Sequence, residues 1–146
     1  MVEVTGDIWD YYDDGFPIVI TTNGNLDSKK NAVMGKGIAL QAKKKFPKLP
    51  MILGNNIQYN GNRVFYFRDL NLFTFPTKHN WWEKSDIDLI VDSALYLSNG
   101  TFNNRIPVVC MVRPGCSNGQ LQWDQVKPYL EKNLPNGFTK FIIVNK

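Results

Sequence analysis

The segment Phe75-Pro76-Thr77-Lys78-His79-Asn80-Trp81-Trp82 brings a primary amine, an imidazole and two large rings together in one short run. A lysine screened by aromatic rings loses hydration of its ammonium, so its pKa falls. The amine can then attack an electrophilic carbon or hold charge beside a breaking bond. The neighbouring imidazole of His79, with an unperturbed pKa of ~6.5, suits proton transfer. A solvated loop lysine, a structural histidine and tryptophans packed on a core form the ordinary alternative. The segment by itself leaves both open.

Two further stretches suit anions. Met34-Gly35-Lys36-Gly37 stands directly before a predicted helix. Its glycines let backbone approach a ligand, and the helix start offers unpaired N–H groups with partial positive charge. The spacing matches neither a Walker loop nor the GxGxxG fingerprint. Pro114-Gly115-Cys116-Ser117-Asn118-Gly119 has the same character and also precedes a predicted helix. Two such loops on one side of a sheet can grip a diphosphate between them.

These loops need a scaffold, and strands alternating with helices predict an α/β fold, a three-layer α/β/α sandwich around a central mixed sheet. Met1 to Thr5 reads as an edge strand and Pro17 to Thr21 as a buried central one. Asn23 to Val33 is turn-rich, and Gly35 to Phe46 reads as a helix with Ile38, Ala42 and Phe46 on one face. Asn60-Gly61 predicts the turn of a β-hairpin over Ile57 to Asp69. Leu72 to Phe75 reads as a strand stopped by Pro76. Ser85 then caps a helix whose inner stripe is Ile87, Ile90, Val91, Ala94 and Leu95. A hydrophobic strand is predicted over Ile106 to Val112. The following helix, about Asp124 to Asn133, tolerates Pro128 only near its first turn. Phe141 to Val144 makes the last strand. Ligands of such sheets gather at the carboxyl ends of strands, so Thr21–Gly37, Phe75–Trp82 and Arg113–Trp123 are the candidate site loops.

A chain of 146 residues fits one domain, spanning 1–146. Cys110 and Cys116 do not form a CxxC pair and His79 is the only histidine, which excludes a Cys/His zinc site. No metal or cofactor is expected. Idle thiols suit a reducing cytoplasm, and neither a membrane-length apolar run nor a secretory signal pattern is visible. A cytoplasmic monomer without membrane contact is therefore expected. The net charge of +4, concentrated at Lys29-Lys30 and Lys43-Lys44-Lys45 with Lys48, is compatible with an anionic small ligand or a nucleic acid.

Gly6-Asp7-Ile8, Thr21-Thr22-Asn23-Gly24-Asn25, Met34-Gly35-Lys36-Gly37-Ile38-Ala39, Phe75-Pro76-Thr77-Lys78 and Arg113 through Trp123 resemble macro domains in order and spacing. The match spans nearly the whole chain and is greatest for the branch containing the DarG antitoxin macro domain and the terminal ADP-ribose protein glycohydrolase. The resemblance implies an ADP-ribose cleft in which Asp7 accepts from the adenine amino group and Ile8 lies beside the ring. It implies that Asn23 and Asn25 meet the distal ribose. Met34, Gly35, Lys36 and Gly37 would then surround the diphosphate from one side, and Cys116, Ser117, Asn118 and Gly119 from the other. In the DarG-like branch the lysine of the Phe-Pro-Thr-Lys segment removes ADP-ribose from DNA bases, which implies a catalytic Lys78, with His79 assisting. Two departures stand out. Gly119 occupies the place of an aspartate in the glycohydrolase branch, and Leu26 to Val33 lengthens the segment before the Met-Gly-Lys-Gly turn.

The resemblance therefore implies a hydrolase releasing ADP-ribose from a protein or nucleic acid carrier. A module that binds ADP-ribose without turnover, and a phosphatase acting on ADP-ribose 1″-phosphate, are the competing readings.

Overall fold

The computed structural model describes residues 1–146. Its sheet has six strands: β1 (Val2–Thr5), β2 (Ile18–Asn23), β3 (Tyr66–Phe67), β4 (Leu72–Lys78), β5 (Val108–Met111) and β6 (Lys140–Asn145). They lie in the order β1-β6-β5-β2-β4-β3. Every neighbouring pair is parallel except β3 with β4. Helices α1 (Ile8–Asp13), α2 (Gly37–Lys45) and α3 (Leu49–Asn60) precede β4, and α4 (Ile87–Asn103) and α5 (Trp123–Asn133) follow it.

The period-2 alternation of β2 builds the layers. Ile18 and Ile20 face α1–α3 with Ala39, Ala42, Leu49 and Leu53, while Val19 faces α4 and α5 with Ile90, Leu97, Val126 and Leu130. Both faces are covered, and the α/β/α sandwich with a mixed sheet is the one anticipated.

Several local expectations fail, each for a physical reason. No hairpin forms over Ile57 to Asp69. Leu49, Leu53 and Ile57, four apart, put one buried stripe on α3, and Pro50 sits in its first turn. Gly61, at φ 88°, ends that helix, its N–H donating to Ile57 O. Pro76 does not stop β4. The Thr74 N–H donates to Phe65 O at 2.9 Å, and Pro76, two residues on, faces that same side beyond the end of β3, where no ladder bond is required.

Asp86, not Ser85, caps α4, accepting the Asp88 N–H at 2.9 Å. The buried stripe of α4 is Ile90, Ser93, Ala94, Leu97 and Thr101. Leu95, turned about 140° from Ile90, is 47% exposed. Pro128 lies in the middle of α5 rather than its first turn, with its ring on the solvent side. Helix α1 has no counterpart in the sequence reading, because six residues carry too little periodicity.

Candidate functional site

Strand order lays out the site. Strand β2 is flanked by β4 and β5, so the chain leaves it toward one side and later returns to the other. The connections after β2 and β5 diverge there, opening a crevice at the carboxyl ends. It forms a cavity of about 1210 Å³ along the rim. Asp7 lies after β1, Asn145 ends β6, Arg113 follows β5, Asn23 ends β2 and Lys78 ends β4, and all five line the cavity. Asp7 and Lys78 thus stand four strand steps apart, about 19 Å at ordinary strand spacing. A ligand touching both must be long.

The wall is cationic. Lys36, Lys44, Lys45, Lys78, Arg113 and Lys146 line it, against Asp7 as the carboxylate. Lys36 sits at the N-cap of α2 with extended backbone and no side-chain cap, so the first amides of α2 point into the cleft unclaimed. Gly37 takes φ 57°, and a Cβ there would lie 2.9 Å from Asn118 Nδ2. Here the two glycine-rich loops meet.

The second loop is held from behind. Ser117–Gly119 forms a 3₁₀ turn between left-handed Gly115 and Gln120, and the Ser85 N–H donates to Gly119 O at 3.0 Å. Gly119 is buried, and a Cβ on it would fall 2.3 Å from Ser85 Oγ. That hydroxyl is itself buried without a partner. The space an aspartate's first carbon would need is already taken by Ser85.

At the β4 end, Lys78 Nζ donates to Asn118 O at 3.0 Å and to Trp81 O at 3.3 Å. Partial burial pushes its pKa down, and the charge of Lys36 adds to the effect. Two carbonyls fix the amine, and one N–H of the ammonium is left over.

The anticipated residues divide. Asp7, Ile8, Asn23, Gly35, Lys36, Gly37, Lys78, Cys116, Ser117, Asn118 and Gly119 share the cleft wall. His79, Asn25 and Met34 do not. His79 Nε2 pairs with Asp86 Oδ2 at 2.8 Å and its side chain is 57% exposed, so the geometry gives the imidazole to Asp86 rather than to Lys78. Asn25 Oδ1 accepts the Trp81 N–H, and Met34 is buried in the core beneath α2. Asn23 lines the cleft, yet its amide group is spent on Val33 O and the Asn25 N–H.

The Leu26–Val33 extension lies against α3: the Ala32 N–H donates to Pro50 O, and a Cβ on Gly54 would meet Lys30 O. Both thiols are raised by burial, Cys110 to about 11. That disfavours thiolate chemistry at Cys116. Nowhere do three or more His, Cys, Asp or Glu side chains converge as a metal site requires.

Sequence reasoning missed Trp9 and gave no site role to Trp123, although that residue closes an anticipated loop. Trp9 follows Asp7 closely, donates from Nε1 to Gln41 Oε1 at 2.7 Å and carries Lys45 Nζ 4.7 Å above its ring. Trp123 stacks under Arg113 at 5.0 Å and donates to Glu3 Oε1, which also lies 3.6 Å from Arg113. Trp81 closes the lysine end. A Trp two residues after the Asp and another ending the second loop were the available signals.

A six-stranded mixed sheet between two helical layers, with two glycine-rich loops facing one rim crevice, is the macro-domain fold, and solved macrodomains superpose on this chain over most of its length. Its similarity runs to DarG. The macrodomain of Thermus aquaticus DarG superposes with a TM-score of 0.80 at 25% identity, covering 99% of this chain and 97% of that one. The macrodomain of Mycobacterium tuberculosis DarG gives a TM-score of 0.72 at 26% identity, with 88% of each chain covered. In sequence, the chain is 28% identical over 111 residues to a DNA ADP-ribosyl glycohydrolase of Thermus aquaticus. That match covers 70% of this chain but only 31% of the relative's length. No protein-family model matches the chain. No helix is long and apolar enough to cross a membrane.

Proposed function

We propose that this chain, as one domain over 1–146, binds ADP-ribose along the rim and hydrolyses the bond joining it to a macromolecular carrier, with DNA the favoured carrier. One observation carries the reading: Lys78 Nζ, anchored by two carbonyls, stands at the far end of the cleft from Asp7. Asp7 and Ile8 take the adenine, and the Asp7 carboxylate keeps an oxygen beyond the one that accepts the Trp9 N–H. The α2 amides and Lys36 take the diphosphate with the Ser117–Gly119 turn opposite, which leaves the distal ribose facing Lys78. The name of the Thermus relative supports DNA as carrier.

Fixed by two acceptors, Lys78 is posed as an ammonium rather than a free nucleophile. Water oxygen bonds to the anomeric carbon, and the bond to the carrier breaks with its electron pair going to the carrier atom. Lys78 hands that atom a proton, and the attacking water restores one to the amine. In this role kcat falls as pH rises through the lowered pKa of Lys78. A nucleophilic lysine would give the opposite limb.

The test incubates wild type and Lys78→Ala with ADP-ribosylated DNA, ADP-ribosylated protein and ADP-ribose 1″-phosphate. Release from DNA should drop by about 10²-fold or more in the variant, while calorimetric ADP-ribose affinity changes less than about threefold. Turnover unaffected by Lys78→Ala would remove the assignment. Gly119, with Ser85 in its space, favours a second reading, a module that binds without turnover. Tight ADP-ribose binding with no release from any substrate would establish it, and release of phosphate alone would point to the phosphatase. The two free thiols support a cytoplasmic protein, and we keep the monomer as a separate proposal.

A further inference from the structure

Trp81 and Trp82 occupy the two central positions of a turn closed by the Glu83 N–H on Asn80 O, and Asn80 Nδ2 reinforces it through Glu83 Oε1 at 2.6 Å. The rings are 49% and 61% exposed and meet edge to face, with centroids 5.7 Å apart at 89°. Two large rings held in water on a pinned turn are unusual for a core-packing role. The turn is also wired to the lysine. Trp81 O accepts from Lys78 Nζ, and the Trp81 N–H is fixed on Asn25 Oδ1. Trp81 lines the cleft, while Trp82 lies beyond its wall.

Resting on the function proposed above, we propose that this aromatic lip is a stacking platform for single-stranded nucleic acid. Trp82 takes the base flanking the modified nucleotide, while the ADP-ribosyl group lies in the cleft. Three features favour a nucleic acid strand. The cleft wall beside the lip carries Lys36 and Lys78, while the lip's own Glu83 and Asp86 are held by Asn80 and His79, which leaves the two ammonium groups to complement a phosphodiester backbone. Exposed tryptophans offer π-faces that any base can cover. The cavity, at about 1210 Å³, is larger than the range typical of small-ligand pockets, so an ADP-ribosyl group need not fill it. A duplex would keep its bases from the lip, so the strand must be single or locally opened.

Two measurements test it. The first follows quenching of tryptophan fluorescence by an unmodified single-stranded oligonucleotide, in wild type, Trp82→Ala and Trp82→Phe. Wild type should bind, Trp82→Ala should weaken binding about tenfold, and Trp82→Phe should recover part of the loss. The second compares release from an ADP-ribosylated oligonucleotide, the corresponding ADP-ribosylated mononucleotide and an ADP-ribosylated peptide. Trp82→Ala should raise KM about tenfold for the oligonucleotide alone. Equal wild-type KM for oligonucleotide and mononucleotide, a Trp82 effect confined to the peptide, binding to anionic vesicles in place of the oligonucleotide, or quenching unchanged in Trp82→Ala would each overturn the platform. The quenching assay needs no turnover, so a chain that stacks strands without hydrolysis defeats the proposed function and leaves the platform intact.

Discussion

Helices α2 and α5 both begin after a glycine-rich loop, yet their first turns are built in opposite ways. Helix α2 opens at Lys36, whose side chain caps nothing. Helix α5 opens at Gln122 within a closed capping box, where Gln122 accepts an N3 amide and Gln125 Oε1 accepts the Gln122 N–H at 2.9 Å. The amides of one helix start are left for a ligand, while those of the other are consumed by its own side chains. The two loops read alike in sequence, yet the helix starts behind them differ in which amides remain open. On the β5 side, the Ser117–Gly119 turn lines the cleft together with Gln122 and Trp123, and the helix start they form already carries its own side-chain caps. A loop's glycine content predicts that backbone can approach a ligand; the next few side chains decide whether the helix takes part.

The contrast can be broken at its strongest point first. Gly37→Val must abandon φ 57° and drive Asn118 away, separating the loops where they touch. ADP-ribose affinity should fall about 100-fold by calorimetry, or roughly 2.7 kcal/mol, and an unchanged Kd would show that the loops do not act as a pair.

Lys36→Asp sharpens the comparison by giving α2 the cap it lacks. The extended backbone at position 36 suits a capping carboxylate. Thermal stability should rise by about 1 kcal/mol, while ADP-ribose affinity falls about 30-fold because a fixed anion then occupies the amides. Affinity and stability moving in the same direction would contradict the reading.

The smallest effect belongs to Gln125→Ala, which opens the box on α5. It should cost about 1 kcal/mol in chemical denaturation and leave ADP-ribose binding alone. A loss of affinity there would mean that α5 serves the ligand after all.

Legibility in the sequence followed how local the deciding interaction was. The Ile18–Ile20 run, the glycines before α2 and the Arg113–Trp123 loop declared themselves because neighbouring residues set their structure. Asn60-Gly61 did not, since the same dipeptide serves a hairpin turn or a helix end. Only the Leu49, Leu53, Ile57 stripe, buried against the sheet, resolves it. Ser85 and Asp86 are both good caps by composition, and the difference arises from Gly119 O, which claims the Ser85 N–H. Lys78 was legible through its segment, but its two carbonyl anchors come from Trp81 and from Asn118, 40 residues away, which no local pattern reports. His79 looked available only because Asp86 was not yet seen beside it.

The proline in β4 has a consequence for solubility. Past the end of the two-residue β3, the last residues of β4 would form a bare border onto which a strand from another molecule could zip. Pro76 offers no donor there, its carbonyl is occupied by Ser93 Oγ at 2.8 Å, and the Lys78 carbonyl is occupied by Asn62 Nδ2 at 3.0 Å. The border is sealed beside the amine that must stay reachable, so crowding at high concentration cannot annex this part of the sheet and bury the reactive end of the cleft.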